Sequence, residues 1–385
     1  MKIFNKNEWK KVKLGDVCEV ITGNTPLKKI KEYWDKDEVP FITPPELKYE
    51  GINYITPNIY VSKIGAKQGR IIPKNSICVC CIGSLGKLGI LKENAITNQQ
   101  INSLILKDKN VDLLYLYFYL KTIKNKLESI ASSTTVKIIN KSSFEKIEIN
   151  LPTLEIQKKI SKKLELLENN IKLRKSQLVF LKELTKSLFT TMFGTPEYNE
   201  KGWNFISLKD ISYSKGEYGS NKPAINYNGG YRYIRITDIN ANGELKTEKV
   251  GISDEKIEAQ KYRLKENDIL FARSGATVGK NFLYNKKYGK CIFAGYLIRF
   301  KLNPHLVSTK YLKIYLDTNY YWNWVKNCQN IVAQPNINAK QYGEDLKIML
   351  PPIELQNKFA ERIEKIEKLS FISKELPIFR DFQAL

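Results

Sequence analysis

The chain has 385 residues, of which 42% are hydrophobic, and this length allows two or three domains, each with its own core. Its 63 Lys and Arg residues outnumber 40 Asp and Glu residues, and the formal net charge of +23 favours a polyanionic partner such as nucleic acid over a merely solvated basic surface. No segment approaches the roughly 18–20 apolar residues of a membrane span, and MKIFNKNEWKK lacks the apolar centre of a signal peptide, so we expect a cytoplasmic protein.

The first part of the chain combines short β-type runs with one helical segment. VPFIT, SICVCCIG and INSLILK are bounded by turn clusters such as TGNTP and PKNS, which is typical of strands. The segment VDLLYLYFYLKTIKNKLESI then shows helical periodicity. Its apolar face consists of Leu113, Leu116, Tyr117, Leu120 and Leu127. Because strands and helices do not alternate regularly, the pattern predicts a mixed α+β domain.

A long helix is predicted next, from about Thr153 to Thr190. Its seam positions follow one another by four and three residues without a break, which is the spacing of a heptad repeat, although Arg174 interrupts the apolar run. At 1.5 Å per residue this helix would be about 55 Å long, too long to fold back inside a small domain. The seam therefore needs a partner. Its apolar members include Ile160, Leu164, Leu167, Ile171, Leu178 and Leu181.

The second half of the chain repeats the first. LPTLEIQKKISKKLELLE, which begins at Leu151, matches LPPIELQNKFAERIEKIE, which begins at Leu350. WKKVKLGDV matches WNFISLKDI, and the turn at Gly83 matches the turn at Gly275. The period is about 195 residues, far longer than the roughly 20–50 residues of a solenoid repeat. The chain is therefore a tandem duplication of one α+β domain followed by a helix.

The duplication supplies a partner for the helical seam. The second helix carries Phe359, Ile363 and Ile366, and Pro377 stops it early. Two helices that leave equivalent domains are predicted to pair as an antiparallel coiled coil with a pseudo-twofold axis, holding the two domains apart, unless the seam packs on its own domain. The predicted organisation is domain one at 1–152, the central helix at 153–193, domain two at 194–351, the C-terminal helix at 352–376 and a tail at 377–385.

The inventory of side chains gives little support for catalysis. His305 is the only histidine, which excludes a two-histidine metal site. SGATVGKN fails the P-loop spacing, because only three residues separate Gly275 from Gly279. ITPPEL resembles the adenine-binding tetrapeptide of amino-methyltransferases, but Thr43 and Glu46 replace the residues that would hold the base. We expect no catalytic residues, no metal ligands and six reduced, mostly buried cysteines.

Two α+β domains, each followed by a helix opened by LPTLEIQ or LPPIELQ, and an MFG-then-Trp203 junction resemble the specificity subunit of type I restriction-modification systems. The resemblance covers essentially the whole chain. It implies two target recognition domains, each reading one half of a split site in double-stranded DNA, and helices on which modification (methyltransferase) subunits dock, two of them expected. Restriction subunits would join through the complex. S-adenosylmethionine, ATP and Mg would be bound by those partners, so no cofactor is expected on this chain.

Polar residues in the predicted turns are the candidate DNA contacts, because exposed Lys and Arg bind phosphates while Arg, Lys, Asn, Gln and Ser read base edges. Arg273 is the strongest candidate, since an arginine that enters a glycine turn from a strand can reach guanine with two hydrogen bonds. The copy-one candidates are Thr22, Asn24, Thr25, Lys28, Lys29, Ser84, Lys87, Asn98, Gln99 and Gln100. The copy-two candidates are Lys215, Tyr218, Ser220, Asn221, Lys222, Arg235, Arg273, Ser274 and Lys280.

The sequence leaves three functions open. The first is a non-catalytic subunit that recognises DNA and acts as a scaffold. The second is a DNA methyltransferase or nuclease with degenerate motifs, which would bind S-adenosylmethionine or nick DNA with magnesium. The third is a coiled-coil adaptor with no nucleic-acid role, which would show no salt-dependent affinity for DNA.

Overall fold

The structure is a computed structural model that describes residues 9–132, 136–240, 243–329 and 336–375, the last five by their backbone alone. The described chain forms two compact units, 9–176 and 177–375, so the boundary falls inside the long central helix. The predicted tail lies outside the described residues, and the predicted domain limits remain a prediction. No helix in the described part is both long and apolar enough to cross a membrane.

Unit one contains nine strands and the first part of the long helix within its described residues. The strands are β1 Lys10–Lys13, β2 Cys18–Thr22, β3 Val39–Ile42, β4 Tyr60–Val61, β5 Ile77–Cys80, β6 Leu88–Ile90, β7 Ile96–Thr97, β8 Ile101–Leu106 and β9 Glu148–Leu151. The helices are α1 Leu14–Val17, α2 Lys63–Ala66, α3 Leu113–Thr122, α4 Lys124–Ile130, α5 Lys141–Glu145 and α6 Leu154–Phe193, which continues into unit two.

Unit two has a similar order of elements, with ten strands in its described residues. Its strands are β10 Phe205–Ser207, β11 Glu217–Tyr218, β12 Ala224–Asn226, β13 Arg232–Ile234, β14 Val250–Ile252, β15 Asp268–Ala272, β16 Asn281–Leu283, β17 Cys291–Phe293, β18 Leu297–Lys301 and β19 Lys347–Met349. Its helices besides the end of α6 are α7 Glu255–Tyr262, α8 Thr309–Tyr315, α9 Asn319–Gln329 and α10 Ile353–Glu375.

Both units contain the same four-stranded antiparallel sheet. The strand order is β2-β8-β5-β6 in unit one and β11-β18-β15-β16 in unit two. A parallel pair, β3 with β7 or β13 with β17, lies in a smaller sheet, and an antiparallel pair, β1 with β9 or β10 with β19, joins the two ends of each globular domain. The mixed α+β fold and the internal duplication predicted from the sequence are therefore confirmed.

The central strand β5 is buried on both faces. Ile77 and Val79 belong to one apolar cluster of unit one, whereas Cys78 and Cys80 belong to another. A strand between two cores needs apolar residues at every position, which explains why SICVCC does not alternate with polar residues. Five of the six cysteines are buried and all six are free thiols, as predicted. Burial raises the pKa of Cys78 to about 12, so its thiol is inert.

The predicted helix over VDLLYLYFYLKTIKNKLESI is wrong in one respect, because the structure has two helices, α3 and α4, separated at Ile123. The hydroxyl of Thr122 donates to the Tyr119 carbonyl, three residues back, and competes with the helical hydrogen bond to that oxygen. Thr318 makes the same contact with Tyr315 after α8. The break is therefore a repeated feature of both units.

A buried glutamine holds the start of the long helix to its own globular domain. In unit one the Gln157 side chain accepts from the Asp112 backbone N–H at 2.9 Å and donates to the carbonyls of Asn110 and Pro152 at 2.9 and 2.8 Å. Asp112 is also the N-cap residue of α3. The single amide therefore joins three backbone groups from two separate parts of the chain, and it is 1% exposed.

The same arrangement recurs in unit two. Gln356 accepts from the Ser308 N–H at 2.9 Å and donates to the carbonyls of Leu306 and Pro351 at 3.3 and 2.8 Å. Gln356 is fully buried, and Ser308 is the N-cap residue of α8. The glutamine of the repeated LPTLEIQ and LPPIELQ segments is thus a structural residue that fixes where α6 and α10 leave their domains. We refer to Gln157 and Gln356 as the glutamine locks.

The heptad-seam residues of α6 are shielded from solvent more than the apolar residues Leu166 and Leu173 on the same helix. In unit one, Ile160, Leu164, Leu167 and Ile171 are all partly buried, and Leu164 packs against the core that contains Phe144. The contact with Leu164 shows that part of the seam packs on its own domain.

In unit two, Leu178 is partly buried and Leu181 is 6% exposed. The rings of Phe189 and Phe193, at the end of α6, contact Phe359 of α10 with centroid distances of 5.9 and 5.2 Å. Ile363 and Ile366 join the same apolar cluster. The last turns of α6 and the first turns of α10 therefore share one core.

We predict that Gln157→Leu and Gln356→Leu each lower the free energy of unfolding by about 2–4 kcal/mol, because each leaves buried backbone groups without partners. Urea titration followed by circular dichroism measures the change. Gln260→Leu is the matched control, since Gln260 is exposed on α7, and it should shift stability by no more than about 0.5 kcal/mol. Equal losses in all three variants would contradict a specific role for the glutamine locks.

Candidate nucleic-acid interface

The copy-one candidates cluster where four strand ends meet. In the register of the sheet, Thr22 lies opposite Asn102, Cys80 opposite Ile101 and Val79 opposite Leu88. The ends of β2 and β5 and the starts of β6 and β8 therefore lie together along the side of the sheet where the strands run into loops. We call this the first loop edge. The turns that follow Thr22 and Cys80 and the segment that precedes Ile101 carry the candidates.

The TGNTP turn and the NQQ segment pack directly against each other at the first loop edge. The Thr25 hydroxyl donates to the Gln99 side-chain oxygen at 2.7 Å, and the Thr22 hydroxyl donates to Asn102 at 2.7 Å. The Asn98 amide donates to the Gln100 side chain at 3.0 Å. The amide groups of this cluster orient one another, so their remaining donors and acceptors are held at fixed positions.

Glycine allows this close approach in both units. A Cβ on Gly23 would lie 2.2 Å from the Thr97 carbonyl oxygen, and a Cβ on Gly219 would lie 2.3 Å from the Phe293 carbonyl oxygen. Neither position has room for a side chain, since real Cβ contacts do not fall below about 3 Å. Gly23 and Gly219 thus mark equivalent positions of the two copies.

The remaining copy-one candidates lie around the same turns. Lys28 and Lys29 are exposed, and Ser84 and Lys87 are partly buried in the turn between β5 and β6. The Lys87 ammonium lies 5.7 Å from the centre of the Tyr49 ring. The Lys124 ammonium lies 4.3 Å from the same ring, so two positive charges meet at one exposed tyrosine.

The second loop edge is formed in the same way in unit two. Tyr218 lies opposite Ile298, Ala272 opposite Leu297 and Phe271 opposite Asn281. The ends of β11 and β15 and the starts of β16 and β18 therefore meet at one edge. Lys280 directly precedes β16, and its carbonyl accepts from the Ala272 N–H. In unit one the Lys87 carbonyl accepts from the Cys80 N–H in the same way, so Lys280 and Lys87 are equivalent.

The segment after β11 carries most of the copy-two candidates. Ser220 is 1% exposed and its hydroxyl accepts from the Lys222 N–H at 3.1 Å, so its side chain shapes the turn. Asn221 and Lys222 are exposed, and the Lys222 ammonium pairs with Asp254 at 2.9 Å. Exposed ion pairs of this kind are weak, and Lys222 can exchange the carboxylate for another anion.

Arg273 and Ser274 follow β15 at the second loop edge. The Arg273 guanidinium lies over the Tyr218 ring at 4.7 Å, and its Nε–H donates to the Asn336 side chain at 3.3 Å. Ser274 pairs with Asn336 through an isolated β-bridge. The structure therefore brings Tyr218, Arg273, Ser274 and Asn336 together.

Two copy-two candidates are placed differently. Lys215 is exposed but precedes β11, away from the strand ends that form the second loop edge. Arg235 follows β13, where its Nε and Nη2 donate to the Asp238 carboxylate at 3.0 and 2.9 Å. That pairing raises the pKa of Arg235, and its guanidinium is largely committed within the protein.

The ITPPEL segment is structural. Its Glu46 is 6% exposed and accepts from the backbone N–H and the hydroxyl of Thr43 at 2.9 and 2.8 Å, which caps a short 3₁₀ turn after β3. Asp238 and Arg235 form the same turn after β13. Both carboxylates are thus used as caps of these turns.

Four residues at the loop edges were not among the candidates predicted from the sequence, namely Arg70, Tyr49, Lys124 and Asn336. Arg70 donates to the Thr22 carbonyl at 2.6 Å, although it lies far from the TGNTP turn in sequence. Tyr49 and Lys124 come from two further segments, and Asn336 approaches Arg273 from beyond α9. The repeat gives no signal for Asn336 either, because the equivalent β-bridge of unit one, with Ile82, is formed by Ile138.

The charged residues next to Tyr218 form a cluster in which Arg299 and Asp268 are buried and Glu217 and Lys301 are partly exposed. Arg299 and Glu217 lie opposite each other on β18 and β11, and the Lys301 ammonium pairs with Glu217 at 2.6 Å. Although burial acts in the opposite direction, the hydrogen bonds from Lys301 and Arg299 lower the pKa of Glu217. Burial raises the pKa of Asp268, 3.6 Å from Arg299. Within the described ranges, no three His, Cys, Asp or Glu side chains are grouped as a metal site would require.

The chain matches the family model described as the type I restriction modification DNA specificity domain twice, over residues 6–183 and 200–378. It is 30% identical over 402 residues to the type I restriction enzyme MjaIX specificity subunit of Methanocaldococcus jannaschii, covering 97% of this chain and 90% of that protein. It is 36% identical over 159 residues to the HindI specificity subunit of Haemophilus influenzae, covering 40% of this chain and 34% of that protein.

Solved structures share the fold. The type I restriction-modification S subunit from M. genitalium superposes with a TM-score of 0.64 at 17% identity, covering 97% of this chain and 93% of that chain. A second chain, from a study titled as the structural basis of complex assembly and conformational transition of the type I R-M system, gives a TM-score of 0.57 at 16% identity, covering 98% and 96%.

We predict that Gly23→Ala and Gly219→Ala each cost about 1–3 kcal/mol, because the new methyl group would overlap a backbone carbonyl. The loss is measured as the change in the free energy of unfolding. Gly343→Ala is the control, since its methyl group would meet its nearest neighbour, a Phe300 ring carbon, at an ordinary 3.4 Å. A loss in Gly343→Ala as large as in the other two would contradict the assigned close approach.

Proposed function

The chain belongs to the family of type I restriction-modification specificity subunits, and from this premise we propose that its two units read the two halves of one split DNA site. The observation that carries the proposal is the pair of loop edges. Each unit has its own four-stranded sheet, and the loop edge lies at the equivalent end of that sheet in both units. Each loop edge carries polar side chains from three separate segments of the chain. Such an edge can present several donors and acceptors to the major groove at once.

The two halves of the site should differ in sequence. Register places Thr22 of unit one at the position of Tyr218 in unit two. In unit one the Cys81 N–H donates to the Gln100 carbonyl. In unit two the Arg273 N–H donates to the Tyr296 carbonyl, so Cys81 and Arg273 occupy equivalent positions. Equivalent positions therefore carry different recognition chemistry on the same framework, and a palindromic site is not expected.

The helices are proposed to set the spacing between the halves. The 40 residues of α6 correspond to about 60 Å at 1.5 Å per residue. Successive major-groove faces recur about every 34 Å, so two readers at the ends of an antiparallel α6–α10 pair could reach sites one or more helical turns apart. The contact between Phe359 and the end of α6 supports this pairing.

We further propose that methyltransferase subunits, two in number, dock on the helices and that restriction subunits join through the complex. Apolar side chains on the outer face of α6 support a docking role, because a stripe of this kind is unusual on a free helix. Leu166 and Leu173 are 55% and 67% exposed in unit one, and Val179 and Phe180 are 57% and 63% exposed in unit two. S-adenosylmethionine, ATP and Mg would bind to the partners, this chain would catalyse no step, and the complex would work in the cytoplasm.

The split-site proposal predicts the outcome of a domain exchange. Replacing residues 9–150 by the corresponding segment of another family member should change one half of the methylated motif and leave the other half and the gap unchanged. Sequencing that detects methylated adenines measures both halves. The reciprocal exchange of residues 203–349 is the control and should change only the other half. A change in both halves after either exchange would contradict the proposal.

Phosphate contacts predict a salt dependence. The log of the DNA association constant should fall linearly with the log of salt concentration, and replacing Lys28 and Lys29 by Gln should reduce the slope by about 1–2, since each phosphate contact releases about one counterion. Fluorescence anisotropy with a duplex that contains the site measures the slope. Lys159→Gln is the control, because the Lys159 ammonium pairs with Glu155 on α6. Identical slopes for both sets of variants would exclude Lys28 and Lys29 from the interface.

A further inference from the structure

Arg273 differs from the other arginines at the sheets of unit two. Arg232 donates to the carbonyls of Lys246 and Glu248 and is 6% exposed, and Arg299 pairs with Glu217. Arg235 is bound through two nitrogens by its own Asp238. These three guanidinium groups stabilise the protein.

The backbone and the side chain of Arg273 are both held in place. Its N–H donates to the Tyr296 carbonyl at 3.1 Å, and its own carbonyl accepts from the Ile337 N–H at 2.9 Å. The guanidinium plane is restricted by the Tyr218 ring at 4.7 Å and by the Nε–H bond to Asn336. A long side chain held in this way loses little conformational entropy when it binds a ligand.

The structure gives no partner among the described residues for the two terminal nitrogens of Arg273. Among the described residues, no carboxylate lies within ion-pair distance of the Arg273 side chain, and its only side-chain hydrogen bond given by the structure uses Nε. With Nε bonded to Asn336, the two terminal nitrogens of the guanidinium keep a pair of parallel N–H donors. Two parallel donors match the O6 and N7 acceptors that guanine alone presents in the major groove.

Unit one has no counterpart of this group. Cys81 occupies the equivalent position, because its N–H donates to the Gln100 carbonyl at 2.8 Å and its carbonyl accepts from the Ile139 N–H at 2.9 Å. Cys81 is 2% exposed and belongs to the core, and burial raises the pKa of its thiol to about 12. A buried neutral thiol cannot read a base.

We propose that Arg273 is a specificity-determining residue that reads a guanine in the half-site of unit two, with Tyr218 and Asn336 as positioning residues. The inference rests on the proposed function, since it requires that the second loop edge faces DNA. It adds that one G·C pair of this half-site is read by direct hydrogen bonds to guanine. The half-site of unit one lacks an arginine contact at the equivalent position.

The test compares two variants that lose the same charge. Arg273→Gln removes the paired donors at the second loop edge, whereas Arg263→Gln removes an exposed arginine that lies outside that edge. The full-length chain co-purified with its modification subunits is mixed with a randomised duplex library, and the bound duplexes are sequenced. Arg273→Gln should reduce the preference for G·C at one position of the unit-two half-site by about 10- to 100-fold and leave all other positions unchanged.

Further variants separate reading from folding. Tyr218→Phe keeps the ring under the guanidinium and should keep the preference, while Tyr218→Ala should weaken it at the same position. The arginine variants should melt at the temperature of the unmodified chain, and the two Tyr218 variants only slightly lower, because they lose the exposed hydrogen bond that the Tyr218 hydroxyl accepts from the Ala339 N–H at 3.1 Å. Arg263→Gln should lower affinity uniformly, if at all, and keep the base preference.

The outcomes distinguish this inference from the proposed function. A split motif whose unit-two half contains no G·C pair, or whose G·C preference survives in Arg273→Gln, overturns the role of Arg273 and leaves the proposed function standing. Absence of any sequence preference in the unmodified complex overturns both. The inference is supported if Arg273→Gln loses the G·C preference at one position of the unit-two half-site and Arg263→Gln keeps it.

Discussion

The structure depends on one buried side-chain amide in each copy of the repeat. Gln157 and Gln356 each join three backbone groups, two from the segment that starts a domain helix and one from the proline just before the long helix. Because an amide has a fixed geometry and its partners are buried, the helix can leave its domain in one direction only. The direction of the helix is therefore coupled to the orientation of the sheet and of its loop edge. Any fixed spacing between two DNA half-sites would be set by this coupling.

A comparison of the two units distinguishes residues that maintain the fold from residues at the loop edges that differ between the copies. Framework positions keep both residue and contact: Tyr115 and Tyr311 donate to the carbonyls of Asn150 and Met349, and Gly23 and Gly219 allow the same close turn. At the loop edges the backbone contacts persist while the side chains change, as with Cys81 and Arg273. Interiors tolerate few changes because they are close-packed, whereas turns that protrude from a rigid sheet can vary. One domain can thus be duplicated, and each copy can acquire its own sequence preference.

Much of this fold could be predicted from the sequence because the signals were local or repeated. Heptad spacing identified α6, continuous apolar runs identified β5, and the LPTLEIQ repeat located both long helices. The break at Ile123 could not be predicted, because the apolar helical periodicity continues across it from Leu120 to Leu127. The loop edges were predicted only in part. The TGNTP turn and Arg273 were found from turn chemistry, but Arg70, Tyr49 and Asn336 reach these edges through tertiary folding that single-sequence patterns do not encode.

The central claim is that two unlike recognition surfaces are held by one chain at a fixed separation. Co-expressing the chain with a type I methyltransferase subunit of its own system, and mapping methylated adenines across the host genome, tests this claim most directly. The account predicts a two-part motif with unlike halves and a gap of constant length, because each half is read by a different loop edge and the gap is set by helices. A continuous motif, a palindrome or a gap that varies between sites would contradict it.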